Sequence, residues 1–187
     1  SFYTERLRLL PIFQGMEQRG VPLSREGTEE LNGRLQEESF RSRDICLNLA
    51  HSTCPDVELE SLPVNGRSNA LNDVVFKGFN LKSPKKTDSG APSMDKDVLE
   101  HWLLTLNPRS PSYHFVKNLK SYRKRQTALG YITSYEKFAK NGRVYSTLNP
   151  TGTGTLRFSS SNPNQQQVSK QEEVNTRYCF GPEPGRE

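Results

Sequence analysis

The chain has 187 residues, of which 32% are hydrophobic and 25% charged, with a formal net charge of +5. That length fits one or two small domains with room for a core, and the composition suggests elongated, solvent-washed helices. No apolar run approaches the roughly 18 residues of a membrane span, no signal-peptide pattern opens the chain, and three cysteines without CxxC spacing read as reduced cytoplasmic thiols.

Charge is unevenly spread. Residues 1–81 carry 9 Lys/Arg against 12 Asp/Glu, residues 82–145 carry 13 against 5, and residues 146–187 carry 4 of each. A local basic block of this kind can attract a polyanion even when the whole chain is only mildly basic. A solvated basic face with no partner is the alternative.

In chain order, Leu7, Leu10, Phe13 and Met16 recur at helical spacing and predict a helix over residues 4–19 that Gly20 stops. Val21-Pro22-Leu23 turns the chain into Ser24, a candidate N-cap for a long helix from about Arg25 to about Ala50. Residues 51–67, with two prolines and a glycine, read as a loop. Ser68 can cap a short helix carrying Leu71, Val74 and Val75 on one face and ending near Gly78. Residues 80–93 form an exposed loop of Lys, Ser, Pro and Gly with nothing apolar at its middle. Ser93 is the expected cap of the next helix, with Asp95 and Asp97 in its first turn and Val98, Leu99, Trp102 and Leu103 facing inward. A helix from about Tyr113 to about Lys140 turns Val116, Leu119, Ala128, Leu129 and Ile132 inward. After the turn signal Asn141-Gly142 the period falls toward two, at Val144, Ser146 and Leu148 and again at Thr153, Thr155 and Arg157, which predicts a few strands. A strand or short helix is expected at Val174–Phe180. The fold class is therefore mainly α with a small β portion at the C-terminal end, α+β overall.

The chemistry concentrates at Thr151–Gln167. One arginine sits in a Thr/Gly-rich extended run, followed by three serines and then a run of carboxamides. Every polar side chain there is neutral except Arg157. Such a segment can donate to the neutral acceptors of base edges in a minor groove, while the arginine also reaches sugar or phosphate oxygens. It holds no carboxylate, histidine or cysteine, so it is not itself an acid, base or metal site. His51, His101 and His114 fall in no metal spacing, and no GxxxxGK[ST] loop is present.

Thr-x-Thr-x-Arg-x-Ser-Ser-Ser-x-Pro-Asn-x-Gln resembles the stretch that opens the palm of family A DNA polymerases, the bacterial DNA polymerase I type. Arg19-Gly20-Val21-Pro22-Leu23, Lys85-Lys86-Thr87 followed by Gly90-Ala91-Pro92-Ser93, Tyr122-Arg123 and Gly142-Arg143-Val144-Tyr145 look like further landmarks of that family, in its order and near its spacing. The resemblance implies a helical thumb subdomain over residues 1–140, with a tip loop at about 80–93, and the first palm strands over 141–187. Lys85, Lys86 and Thr87 would touch the duplex backbone from the tip, and Arg123 would contact DNA from the helix that packs along the template–primer, beside the positive stripe that Lys117, Lys120 and Lys124 form by their i, i+3 and i+7 spacing. Arg157 would take the minor-groove edge of the primer terminus, where a fork of donors meets acceptors shared by all correct pairs, and Asn164 and Gln166 would also contact template–primer. The family usually has a lysine where Thr127 stands and a glycine where Leu156 stands. Arg177 would correspond to a family arginine preceding a phenylalanine, here Phe180.

The same resemblance implies a cytoplasmic parent enzyme of bacterial or phage type that adds deoxynucleotides to a primer with two divalent metal ions (Mg). Its catalytic aspartates would follow shortly after Glu187. The chain is thus expected to be inactive alone, to bind double-stranded template–primer DNA, to meet dNTP only in the full enzyme, and to pack on the remaining palm and fingers. Other readings are a stand-alone helical nucleic-acid-binding module without catalysis and a scaffold for an acidic protein partner.

Overall fold

The computed structural model describes residues 2–64, 68–150 and 157–181, with side chains from Arg8 onward. Contacts divide the chain into two compact units, residues 1–34 with 128–187, and residues 35–127. The fold is mainly α with a small β portion, as expected from the sequence.

The first unit begins with α1 (Phe2–Arg19). Gly20 ends it at φ +60, and a Cβ there would lie 2.8 Å from the Val144 carbonyl oxygen, so the position demands glycine twice over. β1 (Val21–Pro22) pairs antiparallel with β3 (Arg143–Val144), which pairs in turn with β2 (Ala139–Lys140). This adds to the expected strands one drawn from the start of the chain. The proline sits on an edge strand, where a missing N–H is tolerated. Between β2 and β3, Asn141 and Gly142 both adopt positive φ (51 and 72), which suits a two-residue Asn-Gly hairpin. Arg143 donates from Nε to the Arg19 carbonyl at 2.6 Å and from Nη2 to that of Gly20 at 3.2 Å. A side chain of the hairpin thereby satisfies carbonyls that α1 leaves unpaired at its end.

α2 (Arg25–Thr53) starts where Ser24 caps it, accepting from the Gly27 N–H at 3.1 Å. Gly27 packs directly against the backbone of the Thr176–Cys179 turn; a Cβ there would run into the Tyr178 carbonyl. Ser24 N–H and Leu23 extend that contact to Cys179 and Phe180. The second half of α5 (Pro111–Phe138) buries Ala128, Ile132 and Tyr135, and Tyr135 stands edge-on to Phe180 with ring centres 4.9 Å apart. β4 (Thr147–Asn149) pairs with β5 (Ser159–Ser161) in the register Leu148↔Ser160. Val144 and Ser146 are buried while Thr147 and Asn149 are exposed, which is the alternation the period-two pattern predicts. The strand expected at Thr153 and Thr155 lies outside the described residues. The segment expected at Val174–Phe180 is a pair of 3-10 turns, Glu172–Val174 and Thr176–Cys179.

The second unit packs the rest of α2 and α5 with α3 (Asn69–Asn72), a π-helical turn (Asp73–Gly78) and α4 (Lys96–Thr105). Its core centres on Cys46, Leu71, Val75, Val98, Trp102, Phe115 and Leu119. Ser68 caps α3 as predicted, accepting from the Leu71 N–H at 3.0 Å. The cap of α4 differs from expectation. Asp95, not Ser93, accepts from the first turn, at Val98 N–H and 3.0 Å, and Ser93 supports Asp95 by accepting from its N–H at 3.1 Å. Both residue types cap well; reach decides, because a side chain two residues earlier cannot meet the N–H of Val98.

Candidate nucleic-acid interface

The loop carrying Lys85, Lys86 and Thr87 is anchored at its ends and ordered by its own bonds. Leu81 and Met94 are buried on either side, and Trp102 donates its indole N–H to the Lys82 carbonyl at 2.9 Å. Across the loop, Thr87 N–H donates to the Ala91 carbonyl at 2.8 Å and Ser93 N–H to that of Lys85 at 2.9 Å. The Thr87 hydroxyl donates to the Ala91 carbonyl at 3.1 Å and lies 3.1 Å from that of Ser89. Lys86 is exposed. Lys85 instead holds Asp95 at 2.6 Å and Asp97 at 3.7 Å, and Asp95 raises its ammonium above the usual lysine value.

On α5, Lys117, Lys120 and Lys124 recur at helical spacing, with Lys117 exposed and the other two half-buried. Lys120 meets Glu100 of α4 at 3.0 Å, and that contact is the main cause of the lowered Glu100 carboxyl. Arg123 lies deeper. Its Nη1 donates to the Met94 carbonyl at 2.7 Å and its Nε to that of Pro63 at 3.4 Å. Burial pushes the guanidinium below its ordinary value, with nearby Cys46 opposing; burial likewise pushes the Cys46 thiol up to about 12. The fork of Arg123 is spent, at least in part, on bracing the chain that flanks α3 and α4. Thr127 is exposed and turns its hydroxyl to the Arg123 carbonyl.

In the first unit, the carboxamide turn and Arg157 stand together. Arg157 and Phe158 are exposed, and the Phe158 ring packs on Phe13 at 5.5 Å. Gln166 reaches back from the turn, its Nε2 donating to the Phe158 carbonyl at 3.0 Å. Asn164 caps the Gln165–Gln167 turn, its Oδ1 accepting from the Gln166 N–H at 3.0 Å. Arg177 is exposed on the neighbouring 3-10 turn, and the Asn175 side chain accepts from its N–H at 3.3 Å.

Three features escape a reading of motifs. The first is the acidic row of α4, Asp95, Asp97 and Glu100, which offsets part of the basic block. The second is Ser146, and the third is Ser160; both are buried serines whose hydroxyls donate to the Pro163 carbonyl, at 2.7 and 3.3 Å. Period-two spacing of Val144, Ser146 and Leu148 marks Ser146 as inward-facing, and that is its only signal. Among the described residues no group of three or more His, Cys, Asp or Glu side chains could hold a metal ion. Among the same residues no helix is long and apolar enough to cross a membrane.

A basic helical surface, a lysine-bearing loop and a neutral donor turn beside an arginine suit the polyanionic backbone and base edges of a nucleic acid. Residues 48–187 match the sequence profile of DNA polymerase family A. DNA polymerase I of Rhizobium leguminosarum is 30% identical over 169 residues, a match covering 88% of this chain and 15% of that protein. DNA polymerase I of Chloroflexus aurantiacus is 26% identical over 194 residues, covering 98% of this chain and 19% of that protein. This chain thus spans less than a fifth of those relatives. In fold it resembles the POL domain of Pol1 from M. smegmatis, solved in complex with DNA primer-template and dNTP, with a TM-score of 0.70 at 23% identity over 90% of this chain and 28% of that one. With its matched region taking in the basic block, the lysine-bearing loop and the carboxamide turn alike, the chain belongs to DNA polymerase family A.

Proposed function

We propose that residues 1–140 form the thumb and residues 141–187 the first palm strands of a DNA-directed DNA polymerase, and that this chain grips template–primer duplex and positions the primer terminus. The observation that carries the reading is that the family match runs through both the lysine-bearing elements and the Arg157–Gln166 turn. Lys86 and Lys117, exposed on the loop and on α5, contact phosphates without reading sequence. Lys85, Lys120 and Lys124 join them, the first two after exchanging α4 carboxylates for phosphates. Arg157 presents donors to minor-groove acceptors that every correct pair shares, with Asn164 and Gln166 beside it. The proposed activity of the enzyme as a whole is the addition of deoxynucleotides to a primer with divalent ions.

Fluorescence anisotropy with a labelled primer–template tests the grip. Affinity should be independent of duplex sequence and should fall steeply with salt, at a slope of about 0.9 per phosphate contacted. K86A/K117A should lower that slope by about 2. Absence of duplex binding at low salt would overturn the reading.

A further inference from the structure

The turn that carries Asn164 and Gln166 is held in a conformation it does not favour locally. Asn162 adopts φ +53, in the left-handed region, which asparagine enters more readily than other side-chain-bearing residues though less freely than glycine. The Gln165 side-chain Nε2 is buried with no hydrogen-bond partner among the described residues. Opposing both, Ser146 and Ser160 aim their buried hydroxyls at one carbonyl, that of Pro163. The Ser160 oxygen also accepts from the Gln165 N–H at 3.3 Å. Ser160 lies on β5 and Ser146 directly precedes β4, so the carbonyl is tied to one strand of that pair and to the residue that leads into the other. From there the bracing runs outward: Asn164 caps the turn, and Gln166 ties the turn to the Phe158 carbonyl, one residue from Arg157.

We infer that Ser146, seconded by Ser160, is a positioning residue for primer-terminus recognition: by holding the Pro163 carbonyl it sets Asn164 and Gln166, and through Phe158 the backbone beside Arg157. The assignment rests on the template–primer reading above. It also gives Gln166 a role inside the protein, as the link between turn and arginine. Local strain persists where the surroundings over-determine it, and two hydroxyls on one acceptor supply that over-determination. A residue that merely filled space would leave terminus recognition untouched when replaced.

The test compares anisotropy titrations of this chain with primer–templates whose 3′ terminal pair is matched or mismatched. The parent should prefer the matched terminus. S146A should lose roughly 3- to 10-fold of that preference, the size of one hydrogen bond, with affinity for duplex lacking a recessed end unchanged. S146T should restore it. S39A, which removes a buried hydroxyl held by Gln126 in the other unit, should lose stability and keep the preference. Should S146A fail to fold, S160A should show a smaller loss of preference through its longer bond to the same carbonyl. A matched-terminus preference in S146A equal to the parent's overturns the assignment. So does a parent that binds duplex without discriminating termini, which leaves the duplex-binding reading standing. A parent that binds no duplex removes both.

Discussion

Arg123 separates bracing from DNA contact in a single substitution. Its 2.7 Å bond to the carbonyl of buried Met94 is charge-assisted, while the 3.4 Å bond to Pro63 is near the limit of useful geometry. Hydrogen bonds to charged groups contribute about 1.5–3 kcal/mol, and the longer bond adds little. Allowing for packing lost along the aliphatic stem, R123A should destabilise the second unit by about 2–3 kcal/mol. With a urea slope of about 1–3 kcal/mol/M for a unit of this size, the midpoint should fall by roughly 1 M. The chain's single tryptophan, Trp102, lies in the core of that unit, so its fluorescence follows the relevant transition without interference from the other. R123K should fall between, since an ammonium keeps the charge but cannot fork toward two carbonyls. An R123A midpoint equal to the parent's, accompanied by a large loss of duplex affinity at low salt, would refute the bracing role.

Two further expectations concern local structure. The Asp95 carboxyl is held below its usual range, first by the Lys85 ammonium and then by the Val98 N–H. A depressed folded-state value means that this stabilisation is present above the unfolded value and is lost as pH falls through the folded one. The Val98 amide NMR resonance should therefore titrate with a midpoint below the ordinary aspartate value of about 3.9, and a midpoint at or above it would count against the cap. In α2, G27A should cost about 1–3 kcal/mol despite alanine's better helix propensity, because the Tyr178 backbone occupies the space. G33A, which meets nothing within 4 Å, should instead gain about 0.5–1 kcal/mol; equal stability of the two variants in denaturant melts followed by circular dichroism would contradict the close packing.

What local chemistry controls was legible. Ser24 and Ser68 cap because a short hydroxyl beside an apolar-periodic run has few better uses, and Asn141-Gly142 turns because both residues accept positive φ. Pairing across the chain was not. Nothing near Val21-Pro22 announces Arg143-Val144 as its partner, and nothing near Lys85 or Lys120 shows that α4 acids meet them. The charge count placed a basic block correctly along the chain but could not reveal how much of it is neutralised in place. Arg123 marks the same boundary: a motif names a residue type, while burial decides whether its donors face outward. Ser146 carried a period-two signal, yet the carbonyl it holds became visible only with the turn in place.

The contact between Arg143 and the end of α1 joins residues 124 positions apart, and the second unit, residues 35–127, lies wholly between them. During synthesis that unit is complete in sequence while the hairpin that closes the first unit is still unmade. Its contacts are more local, so it can form first, whereas the first unit must wait for residues 139–144 and then 159–180. Until then α1, with Leu9, Leu10, Ile12 and Met16 exposed even in the finished fold, has no sheet behind it. The order of assembly across this stretch therefore reverses its order in sequence, and α1 is among the last of these elements to find its partners.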